Sequence, residues 1–354
     1  MTVAPPPGDA YSHKGLTYPL GRRGPAPGEV IALGEGIGWM RMAVPGALKH
    51  INVWLLDDGA EVVAIDAGLA IDQSRADWEA VLAGPLAGRR IGRLIVTHFH
   101  PDHAGLAGWL AARFDAPIAM TRSEYLMARL LSADARDRPP PEALRYWRAA
   151  GWDEARIARE EAKGWGRFAS VVTPLPHSYR RLQDGDRVPV GGRDWRVVVG
   201  SGHSPEHACL LDEAGGVLIA GDQVLPRITS NVSLSLTEPD ADPLGDWLAS
   251  IARLRILPAD LLVLPSHGDP FTGLHARLDA IERGHLERLD ALHAHLSAPR
   301  RAVDCFGVLF ARAIDDGVYG LATGEALAHL RHLEATGGAR REVRDGVWWF
   351  GRAA

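Results

Sequence analysis

The stretch Thr97-His98-Phe99-His100-Pro101-Asp102-His103-Ala104-Gly105 constrains this chain more than any other. The apolar run RLIVTHFH (93–100) reads as a buried strand that stops at the histidines. Alternation along an extended chain puts His98 and His100 on one side, and Pro101 then forces a turn that brings Asp102 and His103 back towards them. Four ligand-type side chains thus converge within six residues. Imidazoles with a nearby carboxylate suit Zn²⁺ and related first-row cations, and packing alone gives no reason to cluster them.

The surrounding pattern alternates strands and helices. EVIAL (29–33) and INVWLLDDGAEVVAIDAG (51–68) read as strands, the second stretch turning at DDG. Helical spacing at about 73–84 and in GLAGWLAARF (105–114) is followed by the short strand APIAMT (116–121). Residues 186–222 give further strands with turns at GG and AGG. Helices expected near 242–257 and 272–297 flank LLVLPSHGD (261–269), a strand that again ends in a histidine. A sheet scaffold presents ligands at one rim in this way, from strand ends and Gly-flanked turns.

At 354 residues the chain exceeds one ordinary core, so a catalytic body with appendages is expected. Residues 1–27, rich in Pro and Gly, predict an N-terminal arm lying on a body that spans 28–298. Within the body, 122–168 shows helical spacing broken by Pro139-Pro140-Pro141 and no strand signal, which predicts a helical insertion. Its Trp147, Trp152 and Trp165 either lid a pocket or anchor the insertion. In 299–354, helical stretches at 303–315 and 323–336 precede a hairpin turning at DG in REVRDGVWWFG, the order of a winged-helix-like module.

Composition excludes several classes. Apolar residues at 46% and charged residues at 23% rule out a disordered chain. A formal charge of -5 supplies no overall field for nucleic acid or an anionic membrane, so a polyanion needs a local basic patch. No run approaches the roughly 18 apolar residues of a membrane span, and MTVAPPPGDAYSHKG lacks the apolar centre of an export signal. Cys209 and Cys305 read as ordinary buried thiols, and a cytoplasmic location is the expectation.

On the residues quoted, the chain resembles the metallo-β-lactamase superfamily, whose members share an α/β, four-layer αβ/βα sandwich. The likeness runs in order from about residue 28 to 270, through Asp66 in IDAG, the His98–His103 stretch, His203 in GHSPEH, Asp222 in AGD and His267 in PSHGD. It implies one metal on His98, His100 and His203 and a second on Asp102, His103 and His267, with Asp222 bridging them. Asp66 would support the site from behind. His207 in SPEH is either a structural histidine or a support for the ligands. The implied cofactors are two divalent ions, zinc foremost, with iron or manganese as alternatives.

Two cations about 3.5–4 Å apart hold a shared water as hydroxide near neutral pH. That hydroxide is the expected nucleophile, and Asp102 is the expected catalytic residue, orienting the water or taking its proton. No G-x-S-x-G elbow competes. Among the activities of the family, flavo-diiron reductases carry Glu where His100 stands and add a flavin-binding domain, persulfide dioxygenases use fewer ligands, and antibiotic-degrading lactamases are normally exported. The preferred expectation is hydrolysis of a small-molecule thioester, ester or lactone, of the glyoxalase II type. The insertion and C-terminal segment also resemble lactamase-β-2-like proteins, so a phosphodiesterase or single-strand endoribonuclease is the alternative, and a non-catalytic metal-binding scaffold is the third reading. Nucleic acid is not an expected partner, because EALAHLRHLEATG carries Glu325 and Glu334, and Trp348-Trp349-Phe350 reads as hairpin core. No basic cluster for glutathione stands out, Arg180, Arg181 and Arg227 being the basic residues near the site loops. His275, His285, His293 and His295 are expected on a solvated helix face. A small-molecule substrate and a second copy in a homodimer complete the expected partners.

Overall fold

The computed structural model describes residues 10–34 and 36–353. The chain enters through a hairpin of β1 (Tyr11–His13) and β2 (Leu16–Tyr18), turning at Lys14 and Gly15, both at positive φ. Thr17 bridges to Thr272, and Leu16 and Tyr18 are buried, so this part of the arm is a hairpin on the body. Residues 1–9 of the expected arm lie outside the described residues.

The first sheet has seven strands in chain order: β3 (Ile31–Ala32), β4 (Ile37–Val44), β5 (Lys49–Asp58), β6 (Glu61–Ile65), β7 (Arg90–Ile95), β8 (Ile118–Thr121) and β9 (Arg180–Leu182). Its first four strands pair antiparallel, with Gly59 at φ 71 in the DDG turn, and β6 to β9 run parallel. Parallel pairing needs crossovers, and helices supply them. They are α1 (Asp72–Ala83) before β7, then α2 (Pro101–Ala104) and α3 (Ala107–Phe114) before β8. The insertion, α4 (Arg122–Ala133), α5 (Pro141–Ala149) and α6 (Glu154–Glu161), precedes β9. The second sheet has the order β10 (Arg187–Val190), β11 (Arg193–Gly200), β12 (His207–Asp212), β13 (Val217–Gly221) and β14 (Leu262–Pro265). Its first four strands are antiparallel, and α7 (Pro243–Leu254) carries the chain to the parallel β14.

Alternation along the strands builds the layers. In β4 and β5, Trp39, Trp54 and Leu56 point between the sheets, where they meet Trp195, Val197, Leu210, Ile219 and Leu264. Met40, Met42, Ile51, Val53 and Leu55 point the other way, onto Trp78 and Val81 of α1 and Leu110 of α3. The outer face of the second sheet packs on α7 and on α8 (Leu274–His295). The result is a helix-sheet-sheet-helix sandwich. The C-terminal segment, with α9 (Phe306–Leu309), α10 (Tyr319–Ala335) and the hairpin β15 (Ala339–Arg344) and β16 (Val347–Arg352), shares that last core through Leu327, Leu330, Leu333 and Phe350. Asp345 and Gly346, both at positive φ, make the DG turn.

Three local expectations change. The strand read as 29–33 is only Ile31–Ala32, whereas β4, with its Gly, Met and Arg and few β-branched residues, gave no strand signal. The helix expected over 303–315 is a short 3₁₀ turn and α9, ending where Phe310 becomes extended with its ring edge-on to Phe306. His285, expected on a solvated face, is fully buried against His329. Of the insertion tryptophans, Trp147 and Trp152 serve as anchors. Trp147 and Trp152 stack with centroids 5.2 Å apart, and the Trp152 indole N–H donates to Thr323 Oγ1 on α10. Cys209 and Cys305 are buried free thiols, and no helix among the described residues is long and apolar enough to cross a membrane.

Candidate metal centre

Strand β7 ends at Ile95, and the next eight residues deliver four candidate ligands at the rim where β13 and β14 also end. His98 sits in the bend after the strand, and α2 begins at Pro101, a proline at the first helical position that places Asp102 and His103 in its only turn. Asp222 follows β13 directly, and His267 lies two residues beyond β14. All seven expected ligands come together, in three overlapping groups whose donor atoms lie within 4.8 Å of one another: His98, His100 and His203; His98, His103 and Asp222; Asp102, His103 and His267.

Asp222 joins the two ends of this cluster. Its Oδ2 is 3.3 Å from His203 Nε2, and its Oδ1 is 3.4 Å from His267 Nε2 and 3.6 Å from His103 Nε2. Asp102 Oδ2 lies 3.3 Å from His267 Nε2. One carboxylate oxygen towards each set of histidines is the arrangement a bridging ligand needs.

Hydrogen bonds outside the cluster aim the imidazoles. His203 Nδ1 donates to the Asn231 carbonyl (2.7 Å) and His267 Nδ1 to the His50 carbonyl (2.6 Å). His103 Nδ1 donates to Asp66 Oδ2 (2.7 Å). The Thr97 hydroxyl donates to the same Asp66 oxygen (2.9 Å), and so accepts from His98 Nδ1 (3.0 Å). Each Nε2 therefore turns a lone pair inward. His98 Nε2 and His203 Nε2 face each other at 3.2 Å with no hydrogen between them, and both lie close to His100 Nδ1, at 2.8 and 3.0 Å. His103 Nε2, His267 Nε2 and Asp222 Oδ1 are buried with no hydrogen-bond partner among the described residues. Converging lone pairs and orphaned buried donor atoms are what bound cations satisfy, so these residues fit divalent metal.

Electrostatics divides the cluster. Burial, followed by the neighbouring imidazoles, holds His98 well below the usual histidine range, and burial beside His203 pushes His100 down to about 3. Burial opposes a charge on His103 too, yet Asp66, Asp102 and Asp222 surround it and hold it well above that range. His98 and His100 are thus held neutral and open to a cation, while at the other end the three carboxylates around His103 favour positive charge.

Asp66 is 2% exposed and left-handed at φ 66, a conformation Asp tolerates better than most residues. Its two oxygens collect the Thr97 amide (2.8 Å), the Thr97 hydroxyl and His103. His207 stands behind the cluster: its Nε2 accepts from the Asp222 backbone amide (3.0 Å) and its ring lies 4.8 Å from that of His98. It belongs to none of the three donor groups.

Several residues that hold the site gave no sequence signal. Asn52 Nδ2 donates to the Pro265 and Gly268 carbonyls, both at 2.8 Å, and His50 Nε2 accepts from the Gly268 amide, so β5 grips the His267 loop. Buried Glu124 accepts from the Phe99 and Glu206 amides (2.9 and 2.7 Å), tying the two loops that carry His100 and His203. Asn231 Nδ2, whose residue's carbonyl holds His203, donates to Glu325 Oε2 on α10 (3.0 Å). Gly324 lies so close to this loop that an added Cβ would come within 2.7 Å of Ser233 Oγ. Glu325→Gln, which puts an amide beside the Asn231 amide, is expected to lower metal affinity at His203 by about tenfold. Competition with a chelating dye in wild type and variant measures this, and equal affinities would show that the C-terminal segment leaves the site alone.

A sequence profile of the metallo-β-lactamase superfamily matches residues 47–267, and one of the metallo-β-lactamase-like C-terminal domain matches 289–353. A crystal structure of a β-lactamase domain protein from Burkholderia ambifaria is 38% identical and covers 96% of this chain and 98% of that one, with a TM-score of 0.87. An acyl-coenzyme A thioesterase from Gallus gallus is 30% identical over 68% of this chain and 80% of its own length. An atrochrysone carboxyl ACP thioesterase from Aspergillus fumigatus is 24% identical over 83% of this chain and 74% of its own. With its donor cluster at the rim of a four-layer sandwich, this chain belongs to the metallo-β-lactamase superfamily and is a metal-dependent hydrolase.

Proposed function

We propose that this hydrolase cleaves small-molecule thioesters through a two-cation centre. The observation that carries the reading is the likeness to an acyl-coenzyme A thioesterase across most of both chains, joined to a donor set with no member missing. The site walls agree with an acyl substrate: Phe99 and Phe168 lie 6.3 Å apart beside His100 and offer an apolar surface at the cluster's edge. A base-stacking surface is less in keeping with the molecule. Arg341 covers Trp348 at 4.5 Å, and Arg301 and Arg344 cover Trp349 at 5.6 and 5.5 Å.

His98, His100 and His203 would hold one cation, Asp102, His103 and His267 the other, and Asp222 both. Bound divalent ions supply a Lewis acid for the thioester carbonyl and lower the pKa of water to near neutrality. The chain does the rest. His100 and Asp102 are partly exposed members of the cluster, while His98 and His103 are fully buried beneath them. Asp102 would orient the attacking water and take its proton, through the oxygen that it does not turn towards His267 and His103. Asp66 and the Asn231 and His50 carbonyls keep the imidazoles aimed through the cycle.

Hydrolysis of a short acyl-coenzyme A, S-lactoylglutathione, an acyl homoserine lactone, nitrocefin and bis-p-nitrophenyl phosphate, each with and without chelator, tests the reading. Thioesters are expected to turn over about a hundredfold faster than the phosphodiester, with the rate lost in chelator. Phosphodiester cleavage outpacing every thioester would overturn it.

A further inference from the structure

A second concave site lies beside the loop that follows Asp222. His13, Lys14, Leu16, Pro226, Arg227, Arg277 and Ala280 line a cavity of about 330 Å³, within the size range of ligand pockets. Three of these residues carry a fixed positive charge, none is acidic, and the chain as a whole is at -5. Among the described residues, Lys14, Arg227 and Arg277 make no ion pair with a carboxylate, although most of the chain's other buried or half-buried arginines do.

Arg277 is the most telling. It lies in the first turn of α8, a 22-residue helix with no acidic residue in that turn, where the helix dipole disfavours a cation. Burial pushes its guanidinium pKa down, and among the described residues its hydrogen-bond partners are the Leu225 and Ile228 carbonyls. A half-buried cation at the positive end of a helix, with two further cations alongside, leaves the site short of an anion. The arrangement is ordered: Tyr11 and Tyr18 stack at 4.5 Å, and the Arg227 guanidinium lies 5.5 Å over the Tyr18 ring and bonds to the Tyr11 hydroxyl.

The cavity also adjoins the metal cluster. Pro226 is four residues from Asp222, a span of at most about 14 Å. The Pro226 ring packs on Gly268, next to His267, so closely that a Cβ there would come within 2.8 Å. We propose that this basic cavity holds the phosphate groups of a coenzyme A thioester while the pantetheine arm runs past Pro226 to the metal cluster, an inference that rests on the thioesterase reading. Phosphate oxygens accept bidentately from guanidinium, which supplies the missing charge for Arg277 and Arg227, and Lys14 adds a point charge at the exposed mouth.

Calorimetric titration of coenzyme A into the wild type and into a Lys14→Gln, Arg227→Gln double variant tests the site. Both side chains are exposed, so the variant keeps the fold. Affinity for coenzyme A is expected to fall about tenfold in the variant, and pantetheine, which lacks phosphate, is expected to show no difference. Equal coenzyme A affinities, or a wild type that does not bind coenzyme A, would overturn the proposal. Turnover of an acyl-N-acetylcysteamine thioester, measured alongside, reports on the reaction alone: if it is absent while coenzyme A binding responds as expected, the thioesterase reading falls and the phosphate site stands.

Discussion

Replacing His98 with alanine is expected to lower turnover by on the order of 10³ or more while the protein stays folded. His98 belongs to two of the three donor groups, so its loss removes a donor from the set with His100 and His203 and weakens the middle of the cluster. Folding should survive for a specific reason. Without metal, the His98 lone pair faces those of its neighbours at 2.8 and 3.2 Å, so the imidazole contributes little to the bare protein, and water can enter the polar space left by its removal. Stability gained from metal behaves differently, since a ligand bound only to the folded state adds about 2.7 kcal/mol at a hundredfold excess over its Kd. The variant should therefore match the wild type in melting temperature in chelator, and fall below it in added zinc. Metal analysis should find fewer than two equivalents. A variant that keeps full activity and two equivalents would remove the proposed chemistry.

The donor side chains that cluster were legible in the sequence because they sit where a sheet scaffold must put them, at strand ends and in Gly-flanked turns, in short local patterns. The residues that aim them were not. Asn52 reaches Gly268 across 216 positions, and Glu325 reaches Asn231 across 94, and neither stands in a local pattern that a reader of the chain could find. These partners are set by topology, which brings β5 beside the loop after β14 and α10 beside the loop after β13. His285 is a different case, in which a signal existed and charge hid it. The buried residues of α8 are Leu274, Leu278, Ile281, His285, Leu289 and Leu292, a stripe at helical spacing, and His285 occupies its register among the Arg and Glu of the outer face. Reading the stripe first would have placed it inside, against α10. In the N-terminal arm, Lys14-Gly15 is a two-residue turn between strands too short to show alternation, so its hairpin escaped notice.

Asp66→Asn separates the two ends of the cluster. The carboxylate offers only acceptors, one oxygen to the Thr97 amide and the other to the Thr97 hydroxyl and His103 Nδ1. An asparagine amide must turn its NH₂ group towards one of these donors. Facing the Thr97 amide, whose hydrogen cannot move, sets donor against buried donor, at a cost of about 1–3 kcal/mol. Facing His103 is cheaper, because the imidazole can shift its proton to Nε2, and Nε2 is the atom that points at Asp102 and Asp222. A hydrogen there blocks metal at the His103 end and leaves His98, His100 and His203 in place. The variant should bind close to one equivalent of zinc where the wild type is expected to bind two, with affinity at the second position down by about a hundredfold and turnover falling with it. An Asp66→Ala variant gives the contrast, since it strands the Thr97 amide and should lose stability as well as metal. If Asp66→Asn took up two equivalents at wild-type affinity, the tautomer of His103 would not control that end of the site, and the division of the cluster into two cation positions would lose its main support.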